Sequence, residues 1–354
     1  MQDIQLIAKQ FNLSSGLICA RRMYGGSVHR SYLADLSDGT SVAIQALNPK
    51  AFPDVPMMAA NADAVSRYIA KNAGEKEQRY IRYIPTADGK LLYTDERGIN
   101  WRAYHYIDRA HTPVPDESSM HDCGELAKAL GLFYRQLADF PVSELKNTLP
   151  NYHNTALHFN RFKAAVESAS KPLVDTARQE VSYALKQQKY AGALLKMELP
   201  VRAAHNEARL RNLLVDNETG RAVCLIDYDT VMPGLMAFDF GDAVRSGCRA
   251  CRCDERQMNR IRFDIDRYAE FTRLFLDIAR PILQKGEAAS LAGGCIVMAL
   301  ERGLLYLTDY LQGNKRFRAA YPEQNLYKAR VQLMLCMQMQ YYYKEMEAIV
   351  RRSL

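Results

Sequence analysis

One stretch of the sequence joins a polar loop to a strand that ends in acidic residues. The loop has the form His-x-Glu-x-x-x-x-Asn, and a turn at residues 217–220 separates it from the strand end. The two segments read His205-Asn206-Glu207-Ala208-Arg209-Leu210-Arg211-Asn212 and Ile226-Asp227-Tyr228-Asp229. Taken alone, the loop pattern arises by chance in a chain of 354 residues, as a polar loop whose Asn caps a helix. The hairpin and the acidic strand end that follow it favour a functional site.

These residue types suit phosphoryl transfer. Transfer from ATP needs a carboxylate that faces the acceptor hydroxyl, and a carboxamide with a second carboxylate to hold Mg²⁺ on the phosphates. Kinase catalytic loops have the form His-x-Asp-x-x-x-x-Asn, and this chain keeps the spacing with Glu207 in place of Asp. We therefore expect Glu207 and His205 to be catalytic and Asn212 and Asp227 to be metal ligands, with ATP and Mg²⁺ as cofactors.

The first third of the chain is predicted to be β-rich and the remainder helical. Alternating β-branched and aromatic residues predict strands, and the Asp-Gly turn at 38–39 favours a hairpin. The predicted strands are 18–23, 31–36, 41–47, 80–85, 91–94 and 101–107, with a helix at 55–71. A Pro-containing linker at 111–116 precedes predicted helices at 122–137, 154–167, 172–188, 264–283, 289–311 and 325–351 and strands at 201–204, 213–216 and 222–227. We therefore expect a small β-rich lobe over residues 1–107 and a large helical lobe over residues 108–354.

Further runs carry a resemblance to a known family. They are Asp229-Thr230-Val231-Met232-Pro233-Gly234, Asp239-Phe240-Gly241-Asp242-Ala243-Val244-Arg245, and shorter matches such as Asn61 and Leu307-Thr308-Asp309-Tyr310-Leu311. With the catalytic segment, these runs resemble the aminoglycoside phosphotransferase and choline kinase superfamily, over about residues 20–340. Within it the sequence is most similar to the N-acetylhexosamine 1-kinase-like group. The resemblance implies a two-lobe α+β protein-kinase-like fold, with a small antiparallel β-rich N-lobe that binds nucleotide and a large helical C-lobe that carries the catalytic and acceptor sites.

The resemblance also assigns roles to individual residues. Glu207 stands at the position of the catalytic Asp, Asn212 and Asp227 at those of the metal ligands, and Asp239 at that of an Asp that braces the catalytic loop. The run Gly25-Gly26-Ser27 matches the loop that covers the phosphates. Tyr104, Tyr106 and Ile107 fall on the hinge whose backbone contacts adenine, and Tyr310 and Asp229 are candidates for contact with the acceptor. The implied acceptor is the anomeric hydroxyl of an N-acetylhexosamine.

Two positions depart from the family pattern. The catalytic Asp is replaced by Glu207, whose extra methylene displaces the carboxylate, and the basic residue of the third strand is replaced by Ala46. Arg21, Arg22, Arg30 and Lys50 are the candidates for the missing cation. These departures leave two alternatives open: a pseudokinase that binds nucleotide or sugar without transfer, and a kinase for a different small hydroxyl compound.

Composition fits this interpretation. The chain has 47 basic and 40 acidic residues, a mild excess that suits an anionic small ligand such as a nucleotide better than a nucleic acid. The eight cysteines lack zinc-site spacing, including the crowded Cys248, Cys251 and Cys253. No signal segment and no apolar run of about 18 residues is apparent, so we expect a cytoplasmic protein without a membrane partner.

Overall fold

The chain forms two compact units. The computed structural model describes residues 4–24, 26, 28–72 and 80–354. The first unit, here called the sheet unit, comprises Met1–His111, Gln136–Pro150 and Leu214–Pro233. The second, the helical unit, comprises Thr112–Arg135, Asn151–Leu213 and Gly234–Leu354. The boundary expected between residues 107 and 108 stays a prediction.

The strands occupy mainly the sheet unit. They are β1 (Leu17–Met23), β2 (Arg30–Leu36), β3 (Ser41–Ala46), β4 (Tyr83–Ile84), β5 (Tyr93–Thr94), β6 (Asn100–His105), β7 (Ala110–His111), β8 (Arg202–Ala204), β9 (Leu213–Asp216), β10 (Ala222–Leu225) and β11 (Met232–Gly234). An antiparallel sheet runs in the order β1-β2-β3-β6-β4, with β5 also paired to β6. The predicted Asp-Gly hairpin joins β2 to β3, and Gly39 has the positive φ of 82° that such a turn requires.

One face of this sheet is covered by apolar side chains. Val42, Ile44 and Trp101 are buried together with Ile7 from the first short helix. Trp101 retains a polar contact, because its Nε1 donates to Asp95 Oδ2 at 2.8 Å. Because side chains alternate between the two faces of a strand, Val42 and Ile44 lie on the same face of β3, and that face forms this core.

The helices lie mainly in the helical unit. They are α1 (Ile4–Ala8), α2 (Val55–Asn72), α3 (Met120–Gln136), α4 (Thr155–Ser168), α5 (Lys171–Thr176), α6 (Arg178–Leu185), α7 (Met236–Gly247), α8 (Ile265–Ala279), α9 (Glu287–Leu311), α10 (Gln324–Tyr341) and α11 (Tyr343–Ser353). Helix α9 is central and packs against α4, α7 and α10. By length and composition α9 could cross a membrane, but 78% of its apolar stretch is buried in the fold, as in the core helix of a globular unit.

The structure corrects several predicted elements. The helix predicted over 172–188 is two helices that break at Ala177, where the preceding Thr176 hydroxyl donates to the Pro172 carbonyl and competes with the backbone. The helix predicted over 325–351 is interrupted at Tyr342. Helix α7 was missed because all twelve of its residues are buried, which removes the amphipathic pattern that marks a surface helix.

Candidate active site

A buried carboxylate anchors the loop that carries the catalytic motif. Asp239, near the start of α7, accepts hydrogen bonds from the main-chain N–H groups of His205 at 2.7 Å and Asn206 at 2.6 Å. The Tyr134 hydroxyl donates a third, at 2.7 Å. Asn206 has a φ of 61°, which is uncommon outside glycine and is held here by these bonds. The bracing role that the resemblance assigned to Asp239 agrees with this geometry.

Close packing explains why two positions in the motif runs, Gly234 and Gly241, are glycine. A Cβ on Gly241 would lie 2.5 Å from the Gly294 carbonyl oxygen, so α7 and α9 approach each other where both lack side chains. A Cβ on Gly234 would lie 2.6 Å from Asn206 Oδ1. Larger residues at either position would displace the elements that hold the catalytic loop.

Glu207 is held by three partners. Its Oε1 accepts a hydrogen bond from the Tyr152 hydroxyl at 2.7 Å and lies 3.7 Å from Arg302 Nη2, while Oε2 pairs with Arg209. Arg209 Nε lies 3.9 Å from Asp242, which is bonded to Arg245. The side chain of Glu207 is 16% exposed, so it is largely enclosed but not sealed from solvent.

This environment keeps Glu207 ionised. Burial alone raises the pKa of a carboxyl group, but Arg209, Arg302 and the Tyr152 hydroxyl outweigh it and lower the pKa of Glu207 to about 2. Burial, with the nearby Glu207 charge, raises the pKa of the Tyr152 hydroxyl well above its ordinary value, so it acts as a hydrogen-bond donor. Tyr152, Arg209 and Arg302 are functional candidates that the motif search missed; Arg209 lies within the motif, whereas Tyr152 and Arg302 are distant in sequence.

A second set of contacts fixes the same loop from α9. Glu301 accepts from His153 Nδ1 at 2.7 Å, and His153 Nε2 donates to the Asn206 carbonyl at 3.0 Å. Both ring nitrogens therefore face acceptors, which favours the doubly protonated imidazolium. Burial opposes this charge, but Glu301 raises the pKa of His153 above its ordinary value.

Asn212 closes the catalytic loop onto itself. Its Nδ2 donates to the Glu207 carbonyl oxygen at 2.8 Å, and Oδ1 accepts no hydrogen bond from any residue the structure describes. The amide is thereby oriented with its oxygen free. Among the described residues there is no group of three or more His, Cys, Asp or Glu side chains able to hold a metal ion, so any metal here depends on a smaller oxygen set.

In the sheet unit, the two acidic residues after β10 have different surroundings. Asp227 has a φ of 69°, a strained conformation for a residue with a side chain. Asp229 is 3% exposed, and its two oxygens contact His29 Nε2, at 2.6 Å, and Arg102 Nη1. With both oxygens engaged, Asp229 links the loop before β2 to β6.

Arg102 is a buried cation on β6, the strand that pairs with β3 and its Ala46. It lies opposite Gln45, whereas Ala46 lies opposite Trp101, and the Arg102 Nε donates to Gln45 Oε1 at 2.8 Å. Of the cations suggested by sequence, Arg21 is paired with Asp35. The sequence did not single out Arg102, because nothing in it shows that β6 neighbours β3.

The predicted hinge follows β6. The Tyr106 N–H donates to the Ser41 carbonyl at 3.0 Å, while the Ile107 N–H has no partner among the residues that the structure describes. Burial, reinforced by Asp227 and Asp229 against the effect of Arg102, raises the pKa of Tyr104 to about 12. Of the predicted phosphate loop, Gly26 is exposed, and Gly25 and Ser27 lie outside the described residues.

The remaining candidate, Tyr310, is 5% exposed on α9 and has a hydrogen bond with Thr176. The structure thus assembles His205, Glu207 and Asn212 on one loop of the helical unit. It places Asp227, Asp229 and Tyr104 near one another in the sheet unit.

Comparisons with known proteins agree with this fold. A spectinomycin phosphotransferase solved with ADP and spectinomycin is 17% identical with a TM-score of 0.64, over 96% of this chain and 99% of that one. A microcompartment-associated aminopropanol kinase is 14% identical with a TM-score of 0.61, over 97% and 98%. A choline/ethanolamine kinase family protein from Mesorhizobium loti is 15% identical with a TM-score of 0.57, over 96% and 94%. These likenesses confirm the protein-kinase-like fold.

Comparison of the sequence with protein families shows the family as well as the fold. Residues 58–271, more than half of the chain, match the phosphotransferase enzyme family, and this span contains the catalytic loop, Asp227 and Asp239. The chain therefore belongs to the phosphotransferase enzyme family and is a small-molecule phosphotransferase.

Proposed function

We propose that this chain transfers the γ-phosphoryl group of ATP, bound with Mg²⁺, to a hydroxyl group of a sugar. The observation that carries the proposal is the ionised carboxylate of Glu207, on a side chain that is 16% exposed, at the catalytic position of the motif. Tyr152, Arg209 and Arg302 surround the longer side chain of Glu207. A replacement of Asp by Glu without function would not require this arrangement.

The hinge supports nucleotide binding. The open N–H of Ile107 is the kind of backbone donor that pairs with a ring nitrogen of adenine, and the neighbouring Tyr106 N–H is already engaged with Ser41. The spectinomycin phosphotransferase of similar fold binds ADP, which fits the same assignment.

The candidate metal ligands have suitable chemistry. Mg²⁺ prefers oxygen ligands and commonly takes only one or two from the protein, with waters and phosphate oxygens completing its shell. The oriented Oδ1 of Asn212 and the carboxylate of Asp227 are such ligands. When bound, Mg²⁺ would offset negative charge on the phosphate oxygens during transfer.

The low pKa of Glu207 limits its strength as a base. A carboxylate with a pKa of about 2 is a weak base, so it binds and orients the acceptor hydroxyl and takes the proton only as the new oxygen–phosphorus bond forms. This suits the loose transition state of phosphoryl transfer, in which the nucleophile needs positioning more than early deprotonation. Asn212, bonded to the Glu207 carbonyl, couples the acceptor side of the loop to the metal side.

Charge near Glu207 favours a sugar over a cationic acceptor. Arg209 and Arg302 balance the Glu207 carboxylate, and the nearest other acids are engaged, Asp242 by Arg245 and Glu301 by His153. A quaternary or primary ammonium group placed here would face guanidinium groups without a free carboxylate. An uncharged polyhydroxy compound avoids that repulsion. The resemblance to N-acetylhexosamine 1-kinases supports an N-acetylhexosamine-like sugar and its anomeric hydroxyl as acceptor.

The test is an acceptor panel with radiolabelled ATP, with Mg²⁺ or with EDTA. The panel contains N-acetylhexosamines, hexoses, choline, ethanolamine, aminopropanol and spectinomycin. We expect Mg²⁺-dependent label in a sugar, released by mild acid as an anomeric phosphate would be. Label confined to the amino alcohols or to spectinomycin would contradict the sugar acceptor.

Two variants complete this test. Glu207→Gln removes the orienting carboxylate and should abolish the label, whereas Glu218→Gln, an exposed residue in the turn after β9, should leave it unchanged. Binding of ATP with no transfer to any acceptor would favour the pseudokinase alternative.

A further inference from the structure

A cavity lies between α4 and α9 in the helical unit. It has a volume of about 360 Å³ and is open to solvent on one side. The side chains that matter here come from both helices and from the segment that follows α9: His158, Arg161, Thr308, Asp309, Gln312 and Arg316. Thr308 and Asp309 belong to the run 307–311 that resembles the family, but the sequence assigned no role to either residue.

The cavity carries positive charge that the fold does not neutralise. Within the described part of the chain, neither Arg161 nor Arg316 has an ion pair; the Arg316 guanidinium only packs over Phe317 at 5.1 Å. The carboxylate of Asp309 is engaged, because it accepts from the main-chain N–H groups of Arg316 at 2.7 Å and Phe317 at 2.9 Å and from Asn325 at 3.0 Å. Arg161 and Arg316 are both exposed, so water screens their charges from each other, and both guanidinium groups are available to an anion in the cavity.

His158, which also lines the cavity, has a ring nitrogen without a hydrogen-bond partner among the described residues. The residue is 5% exposed, its Nε2 donates to the Tyr152 carbonyl at 2.9 Å, and Nδ1 has no hydrogen-bond partner among the described residues. Burial, together with Arg316, lowers the pKa of His158, so the ring is neutral and Nδ1 is a free acceptor. A buried acceptor without a partner costs free energy that a ligand hydroxyl would recover.

The cavity is linked to the catalytic carboxylate through Tyr152. The carbonyl of Tyr152 accepts from His158, and its hydroxyl donates to Glu207. Helix α9 makes the same connection, since Arg302 lies beside Glu207 and Thr308 follows six residues later, about 9 Å along the helix axis. These contacts place the cavity one hydrogen-bonded residue, Tyr152, away from the catalytic carboxylate.

We propose that this cavity is the distal part of the acceptor site and binds an oxyanion, a carboxylate or phosphate group, carried by the acceptor sugar. Arg161 and Arg316 hold the oxyanion, and His158 Nδ1 accepts a hydrogen bond from a neighbouring sugar hydroxyl. The inference rests on the proposed function, because it makes the preferred acceptor an anionic sugar.

The experiment compares matched sugars by calorimetry without ATP and then by transfer with labelled ATP. The pairs are glucose with glucose 6-phosphate, glucose with glucuronate, and N-acetylglucosamine with its 6-phosphate; inorganic phosphate tests the oxyanion alone. We expect each anionic sugar to bind at least ~10-fold more tightly than its neutral partner. Comparison of glucuronate with the phosphates distinguishes the two oxyanions.

The variants are Arg161→Gln and Arg316→Gln, and the matched control is Arg318→Gln, an exposed arginine two residues beyond Arg316 that does not line the cavity. The first two should remove most of the preference for anionic sugars, and the control should keep it. Equal binding of neutral and anionic sugars, no binding of any anionic sugar, or a preference that survives both variants would overturn the proposal. Anionic sugars that bind through these arginines but are never phosphorylated would uphold the subsite and overturn the proposed function instead.

Discussion

Glu207 in the helical unit and Asp229 in the sheet unit are both carboxylates paired with arginine. They differ in exposure and in the other groups that contact their oxygens. Asp229 is 3% exposed, and its oxygens contact His29 and Arg102. Glu207 is 16% exposed; Arg209 pairs with its Oε2, and Arg302 lies 3.7 Å from its Oε1. Its third partner is the hydroxyl of Tyr152, a neutral group that an acceptor hydroxyl can replace.

This difference separates a structural carboxylate from one that can bind a ligand. In both, ion pairs hold the pKa below its ordinary value against the opposing effect of burial, so a lowered pKa alone does not identify the functional residue. What distinguishes Glu207 is its remaining access and its position on a loop that Asp239 and His153 fix in place. Both oxygens of Asp229 are engaged by His29 and Arg102, and its contact with the acceptor stays a prediction.

The largest expected change in stability comes from breaking the Asp229 pair. Arg102→Met leaves a buried carboxylate with only His29 and should lower the free energy of unfolding by about 3–5 kcal/mol. Urea denaturation measures this change. The double variant Arg102→Met with Asp229→Leu should recover much of the loss, because no unpaired charge remains buried.

The matched control for Arg102→Met is Lys90→Met, which breaks an exposed ion pair with Asp88 in the same unit and should cost no more than about 1 kcal/mol. A loss in Arg102→Met no larger than in this control would show that Asp229 is not a structural anchor, and would reopen its assignment to the acceptor.

A smaller effect is expected at His153, which supports the catalytic loop from α9. Its pKa is raised in the folded state, so its contribution to stability is complete below about pH 6.5, the unfolded value, and is lost as pH rises through the folded pKa. His153→Gln should lower the free energy of unfolding by about 2 kcal/mol at pH 6, and it should remove the fall in unfolding free energy as pH rises through the folded pKa of His153.

Unfolding free energies measured across a pH series test that prediction. The control is His121→Gln, at an exposed histidine of α3, which should keep the wild-type dependence of unfolding free energy on pH. The same pH dependence in wild type and His153→Gln would mean that another group is responsible.

The smallest effect is expected from removal of the neutral partner of Glu207. Tyr152→Phe deletes one hydrogen bond to the carboxylate and should lower turnover roughly five-fold, equivalent to about 1 kcal/mol. Affinity for ATP should stay the same, because Tyr152 contacts the acceptor side of the loop. Steady-state kinetics measure the turnover and the KM for ATP, and Tyr341→Phe, at an exposed tyrosine, is the control. A rise in the KM for ATP with unchanged turnover would contradict the assignment.

The sequence predicted the β-rich and helical parts of the fold and the loop from His205 to Asn212, because strand alternation, turn residues and motif spacing are local properties. It did not predict α7, whose residues are buried on every side, or the break within the helix predicted over residues 172–188.

The partners of the catalytic loop were also beyond sequence reasoning. His153 and Glu301 are 148 residues apart, and Arg302 reaches Glu207 from α9 only because α7 and α9 pack closely at Gly241 and Gly294. Such contacts follow from tertiary packing, and no spacing in the chain encodes them.

The measurement that tests the account most directly is single-turnover transfer from labelled ATP by wild type, Glu207→Gln and Glu207→Asp, alongside ATP affinity. Glu207→Gln should slow transfer by ~10²–10⁴-fold with ATP affinity nearly unchanged. Glu207→Asp keeps the charge but withdraws the carboxylate from Tyr152 and Arg302, and should be slower by ~10²-fold. A Glu207→Gln protein that is folded, binds ATP and transfers at the wild-type rate would contradict the role of Glu207 and the account built on it.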